Sequence, residues 1–244
     1  MNGCQDKIQQ HYDEIADIYD HRYDKKRGKS YYGHISRHVM ENLPKKVKLL
    51  DLGCGTGLFV QRYVATGGLA VGLDISRGMV RRACKRCAGS SFTVGTAEVL
   101  PFKDASFDAL SSLLAFSYLN RPDQMLAEAY RVLKPGGTAV ICTLGKNVFT
   151  SGLPAVYQIG EVMKIRHVGM GAFNEHYYSR DELFTLFSES GFSDIHIRKC
   201  SFAHLNLIDP LYDIARKIEP FVEENIPYLA YNIIATGKKP AIKS

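Results

Sequence analysis

Residues 49–57 read Leu-Leu-Asp-Leu-Gly-Cys-Gly-Thr-Gly, and this stretch restricts the folds open to the chain more than any other. An apolar run from Val47 to Leu52 carries a carboxylate at Asp51 and gives way to glycines at Gly53, Gly55 and Gly57; a helix-like segment, Leu58 to Ala65, follows. The pattern is a strand, a tight turn and a helix start. Glycines permit positive φ and lack a Cβ, so a ligand can lie directly against the backbone. The N–H groups of the turn and the helix N-terminus favour a partly anionic ligand. The next apolar run, Leu69 to Asp74, also ends in an acid, placed to accept both hydroxyls of a ribose. Together these features point to a nucleoside-containing cofactor.

Spacing narrows the choice. A dinucleotide fingerprint needs glycines at the first, third and sixth positions, and the sixth position counted from Gly53 is Leu58. A Walker-type loop ends in Gly-Lys-Ser/Thr, whereas this glycine turn runs into Gly57-Leu58-Phe59. The form Asp-Leu-Gly-Cys-Gly-Thr-Gly instead resembles the first motif of the class I S-adenosylmethionine-dependent methyltransferases. Four further segments resemble that family in the same order: VGLDIS (71–76), GTAEVLPF (95–102), FDALSSLLAFSYL (107–119) and RVLKPGG (131–137). The likeness covers roughly residues 45–145 and extends more weakly to both ends. It is similar to the small-molecule branch with the type 11 methyltransferase domain, near the ubiquinone and menaquinone methyltransferases, although the long N-terminal signature of that group is not found.

The resemblance implies an α/β, Rossmann-like fold: a mostly parallel seven-stranded sheet with helices on both faces, the last strand antiparallel, an N-terminal helical lid and an inserted cap. It implies S-adenosyl-L-methionine as cofactor. Asp51 and the turn residues Gly53, Cys54, Gly55 and Gly57 would hold the methionine part. Asp74 would take the ribose hydroxyls, with Ile75 and Met79 against the adenine. Thr96, Ala97 and Glu98 would line the adenine edge, and Ser112 and Leu114 would lie beside the methionyl group. The segment HYDEIADIYD resembles the lid helix of small-molecule methyltransferases, which would bring Tyr12 and Tyr19 to the methionine end. Two departures stand out. Thr96 replaces the acid that many relatives carry before Ala-Glu, leaving a neutral and weaker acceptor. Ser117-Tyr118 stands where relatives often show a His pair.

Hydrophobicity patterning gives the order of elements. Ile8, Tyr12, Ile15 and Tyr19 fall on one face of an amphipathic helix. Strands are expected at about 47–52, 69–74, 91–94, 107–112, 138–143, 194–201 and 230–237, alternating with helices as in a parallel sheet. Ser76 is placed to N-cap a helix, Pro122 fits a first helical turn, and Pro135-Gly136-Gly137 should end that helix and turn the chain into the fifth strand. Ser179 and Glu182 form a capping box. Asp209-Pro210 reads as an N-cap and first helical position. Residues 145–178 are less regular. The organisation expected is one methyltransferase domain over 1–244: lid 1–45, cofactor core 46–145, cap 146–178, and 179–244 completing the sheet.

The chain of 244 residues carries a net charge of +6 and is 45% hydrophobic, as expected of a globular protein with a full core. No apolar run approaches about 18 residues, and the N-terminus lacks the apolar core of a signal peptide, so no membrane association is expected. Six scattered cysteines suit free thiols in a cytoplasmic protein. Cys84 and Cys87 form a lone pair with no second pair to complete a zinc site, so no metal is expected. Basic residues gather at 22–48 and 77–86, either as a solvated surface or as a footprint for RNA.

Methyl transfer from a sulfonium needs alignment and exclusion of water more than a base. His176 and Tyr118 are nonetheless the catalytic candidates, since a His can take a proton from a hydroxyl or amine. Arg166, His167, Met170 and Tyr177 are the candidates for the substrate pocket. The reading is transfer of a methyl group to a small-molecule acceptor by a monomer or homodimer. The rivals are an RNA methyltransferase acting on a tRNA base and a cofactor-binding protein without catalysis.

Overall fold

The computed structural model describes residues 3–147, 175–203 and 209–241. Its centre is a seven-stranded sheet in the order β3-β2-β1-β4-β5-β7-β6. The strands are β1 (Lys48–Leu52), β2 (Leu69–Asp74), β3 (Ser91–Val94), β4 (Phe107–Leu113), β5 (Leu133–Leu144), β6 (Ser193–Cys200) and β7 (Asn232–Lys238). β1 to β5 pair in parallel, and β7 runs antiparallel to both of its neighbours, β5 and β6. The helices described are α1 (Gly3–Ile15), α2 (His21–Asp24), α3 (Lys26–Glu41), α4 (Leu58–Val64), α5 (Arg77–Arg86), α6 (Pro122–Val132), α7 (Arg180–Glu189) and α8 (Asp209–Asn225).

Alternation along β1 shows why both faces carry helices. Side chains of a strand point in turn to opposite faces. Leu50 and Leu52 join one apolar cluster with Met125 and Leu126 of α6 and Leu183 and Phe187 of α7. Leu49 joins the other, with Ile35 and Val39 of α3 and Phe59 and Val60 of α4. The three leucines are fully buried, which is why β1 reads as a continuous apolar run.

The local signals hold where they are local. Ser76 Oγ accepts the Met79 N–H at 3.1 Å, and Pro122 opens α6. Ser179 Oγ accepts the Glu182 N–H while Glu182 accepts the Ser179 N–H, at 3.2 and 2.6 Å. Other boundaries move. α1 stops at Ile15 and residues 16–20 form a turn, so Tyr19 lies beyond the helix that the periodicity extended to it. α3, counted in the lid at 1–45, packs on β4 and β5, and Tyr31 Oη donates to Asn232 Oδ1 of β7 at 2.9 Å. β5 starts at Leu133 rather than near 138. Leu133 is fully buried opposite Phe107, and 134–137 bulge before Thr138 pairs with Ala109. Pro135-Gly136-Gly137 therefore interrupts a strand instead of ending a helix. Asp209 is itself the first residue of α8.

The proposed cap lies mostly outside the described residues, but its two ends are visible. Lys146 N–H donates to Tyr178 O, and Tyr178 N–H donates to Leu144 O, both at 2.9 Å. The chain leaves and rejoins the body at the carboxyl end of β5. Among the described residues no helix is long and apolar enough to cross a membrane.

Candidate functional site

The carboxyl ends of β1, β2 and β4 open into a cleft. The glycine turn after β1 is pinned to β2, since the N–H groups of Gly53 and Cys54 both donate to Leu73 O, at 2.8 and 3.0 Å. Gly53 has φ +68°, and a Cβ there would stand 2.2 Å from Ala115 Cβ, so the loop after β4 needs its absence. Gly55 has φ +53° with only the Tyr19 ring near a hypothetical Cβ, at 4.0 Å, and its backbone faces the cleft.

Asp74 ends β2 and organises the second wall. Its Oδ2 accepts the Gly55 N–H at 2.8 Å and its Oδ1 accepts the Ser76 N–H at 2.9 Å. Each oxygen keeps a further acceptor position for a ligand hydroxyl. Burial pushes the carboxyl above its ordinary range, and the N–H bonds from Ser76 and Gly55 oppose that. Ile75, Met79, Thr96 and Ala97 continue this side, and Ser112 and Leu114 line the other.

Aromatic side chains form the roof. Tyr12 of α1 meets Tyr19 and Tyr118 edge-on, with ring centroids 6.0 and 6.2 Å apart. The Arg22 guanidinium lies over the Tyr19 ring at 4.4 Å. Burial pushes the phenols of Tyr12, Tyr19 and Tyr118 up, so at neutral pH they are protonated. Two acids hold the roof to the cofactor loops. Asp13 Oδ1 accepts from Ser76 Oγ at 2.7 Å and from the Gly78 N–H at 2.8 Å. Asp20 accepts from Thr56 Oγ1 and from Arg86 Nη2, both at 2.6 Å, while Arg86 also donates to Thr56 O.

Several residues expected at the site stand elsewhere. Asp51 lies behind the wall, 1% exposed, accepting from Ser111 Oγ at 2.7 Å. Burial pushes its carboxyl up to about 7, Ser111 opposes that, and nearby Asp74 adds to it. Cys54 packs its thiol into the apolar cluster under α4, and Gly57 abuts Ala83 of α5. Glu98 turns away from the cleft: its Oε1 accepts the N–H groups of Asn120 and Arg121 at 3.1 and 3.0 Å and so holds the entry to α6. Thr96 Oγ1 accepts the Glu98 N–H at 3.3 Å.

His176 does not reach the cleft. Its backbone N–H donates to Ser117 O, and its half-exposed ring lies against Tyr178 with Nε2 3.6 Å from Glu182 Oε1, on the surface of α7. Tyr177 is half-buried and also outside the lining. Arg166, His167 and Met170 lie outside the described residues. The sequence reading missed Ile8, Leu52, Leu73, Gly95, Leu113, Ala115, Leu119 and Met125, all of which line the cleft. Leu52, Leu73 and Leu113 sit at strand ends, where ligands of open α/β sheets bind, so that rule could have found them. Met125 sits on the apolar stripe of α6 and reads only as core.

The same chain finds close relatives. Residues 50–141 match the family described as a methyltransferase domain, type 11. A malonyl-[acyl-carrier protein] O-methyltransferase of Erwinia pyrifoliae is 40% identical over 114 residues, 47% of this chain and 44% of that protein, so the match spans less than half of that relative's length. A demethylmenaquinone methyltransferase of Renibacterium salmoninarum is 32% identical over 162 residues, 62% of this chain and 68% of that protein. Among solved structures, a methyltransferase of Thermotoga maritima described as a possible histamine N-methyltransferase superposes with a TM-score of 0.71 at 23% identity, covering 94% of this chain and 99% of that one. That likeness shows the fold. With the glycine turn, the Asp74 clamp and the strand order, these matches make the chain a member of the class I S-adenosylmethionine-dependent methyltransferases.

Proposed function

We propose that this protein transfers a methyl group from S-adenosylmethionine to a small, partly apolar acceptor. The observation that carries the reading is the Asp74 carboxylate clamped by the Gly55 and Ser76 N–H groups at the mouth of a cleft roofed by tyrosines. The residues fit the cofactor: a carboxylate for the ribose, the apolar sides of Ile75 and Met79 for the adenine, and bare backbone at Gly53 and Gly55. The ring faces of Tyr12, Tyr19 and Tyr118 suit a cation.

When bound, the cofactor supplies a methyl group already activated on a sulfonium. The chain then has to align acceptor, methyl and sulfur and to keep water out. Burial keeps the proton on Tyr118 at neutral pH, so in this reading it does not act as the base. His176, on the surface of α7, is set aside as a catalytic group. In this reading residues 1–244 are one domain, working as a monomer or homodimer, and free Cys84 and Cys87 suit a cytoplasmic setting. Several of the basic residues that prompted the RNA reading are engaged within the fold: Arg82 and Arg86 pair with Asp17 and Asp20, and Arg22 covers Tyr19.

Labelled methyl from S-adenosylmethionine, offered to host extract split into small-molecule, RNA and protein fractions, tests the reading. Label in the small-molecule fraction, lost in Asp74→Ala and reduced in Asp74→Asn, is the expected result. Label in RNA overturns the acceptor class. Cofactor binding without label in any fraction supports the non-catalytic alternative.

A further inference from the structure

A second group of chemistry-bearing side chains lies apart from the cleft lining, between α3 and α8. His34 and His38 stand four residues apart on α3, and Glu219 and Glu223 stand four apart on α8, a spacing that puts each pair on one helix face. The two faces meet. His34 Nε2 is 2.7 Å from Glu223 Oε1 and 3.5 Å from Glu219 Oε2. His38 Nε2 is 3.2 Å from His34 Nε2 and 3.2 Å from Glu223 Oε2.

Ordinary hydrogen bonding explains this arrangement only in part. Two imidazole nitrogens and two carboxylates converge, with His34 and Glu219 8% and 1% exposed. Two neighbouring buried carboxylates repel and require a compensating cation. Arg216 Nη1 pairs with Glu219 Oε2 and supplies that cation to Glu219, which leaves Glu223 facing the two imidazoles. The other carboxylate oxygens also hold the backbone: Glu223 Oε1 accepts the Ser201 N–H at 2.6 Å and Glu219 Oε1 accepts the Ala203 N–H at 2.9 Å. The carboxylates are thus fixed in place, with Glu223 Oε2 turned to His38 and Glu219 Oε2 between Arg216 and His34.

The spacing fits one ion. A tetrahedral zinc site with bonds of about 2.0–2.1 Å has ligand atoms about 3.3–3.4 Å apart. Among His34, His38 and Glu223 the separations are 3.2, 3.2 and 2.7 Å, two of them close to that edge length. We propose that His34, His38 and Glu223 bind one divalent transition-metal ion, zinc by preference, which ties α3 to α8. Two imidazoles and one carboxylate, on two helices, make a ligand set that zinc accepts, with the fourth position left to water.

Around the site, His38 Nδ1 is 2.7 Å from Arg198 Nη2 and 3.5 Å from Glu41 Oε2. Metal on Nε2 requires the proton on Nδ1, facing Glu41, so Arg198 must exchange its 2.7 Å contact with Nδ1 for Glu41, 3.5 Å away.

The full chain, stripped with EDTA and desalted, is titrated with Co2+ and then Zn2+. The expected result is visible d–d absorption saturating at one Co2+ per chain, without a near-ultraviolet thiolate band, and displaced by one Zn2+. Zinc at 100 times its Kd should raise Tm by about 5–10 °C. His38→Gln should weaken binding by more than about 100-fold, and Glu223→Gln serves as the second variant should the first fail to melt cooperatively in EDTA. The Cys84→Ser/Cys87→Ser double variant should bind as the parent does. Absence of the band and of the Tm shift overturns the proposal, as does their survival in both site variants or a thiolate band that the cysteine variant removes.

Discussion

Asp51 stands almost out of solvent at the end of β1, and the Ser111 hydroxyl offsets only part of what burial does to it. Its folded pKa of about 7 lies above the value of about 4 for an unfolded chain. Between those values the unfolded state has released a proton that the folded state retains, so this group's contribution to stability falls as pH rises from about 4 to 7 and then levels off. Asp51→Asn keeps an acceptor for Ser111 and removes the buried charge. At pH 8 it should be more stable than the parent by at least about 1 kcal/mol, about 2–4 °C in Tm, with the difference shrinking toward pH 4. Melting curves across that range check it, and a difference independent of pH would sink the argument. Gly53→Ala should act the other way, since the left-handed backbone and the Ala115 contact together cost about 2–4 kcal/mol; denaturant unfolding measures it. At this scale the sequence was legible wherever backbone conformation dictated the residue, as at Gly53, Gly55 and Asp74. It was not legible for Asp51, Cys54 and Glu98, because a motif places a residue in a strand or turn without saying which way its side chain faces.

The roof over the cleft is held by short polar clasps. Asp20 joins the turn after α1 to Thr56 at the glycine turn and to Arg86 at the end of α5. Asp20→Ala leaves the Arg86 guanidinium with Thr56 alone. It should cost about 1–3 kcal/mol and weaken S-adenosylmethionine binding, since Tyr19 sits next to the clasp. Calorimetric titration checks this: unchanged affinity would show that the roof is held from elsewhere. Helix starts were readable because their signals are contained in four residues, as Ser179-to-Glu182 shows. The end of α1 was not, because the four-and-three spacing of apolar residues continues through the turn to Tyr19. The start of β5 was hidden for another reason: Leu133 is in the strand because it faces Phe107, a partner 26 positions earlier in the chain.

Across the whole molecule, the parallel half of the sheet follows from alternating apolar runs, while the metal ligands do not show in the sequence at all. His34 and Glu223 lie 189 positions apart, and only the packing of α3 against α8 brings them together. The same kind of long-range dependence governs assembly of the sheet. β7 supplies pairing partners to β5 on one side and β6 on the other. A chain truncated after Tyr231 should therefore keep helical content but lose cooperative unfolding and solubility, as circular dichroism and sedimentation would report. In the living cell this strand order imposes a schedule. Synthesis runs from β1 onward, so β6 emerges with no neighbour to receive it, and the far side of β5 stays bare until the last strand slides between them. For that interval two open β edges belong to one nascent chain, on polysomes crowded with identical chains in the same state. The place of β7 between β5 and β6 makes its insertion, and not only the stability it adds, the step at which aggregation competes with folding.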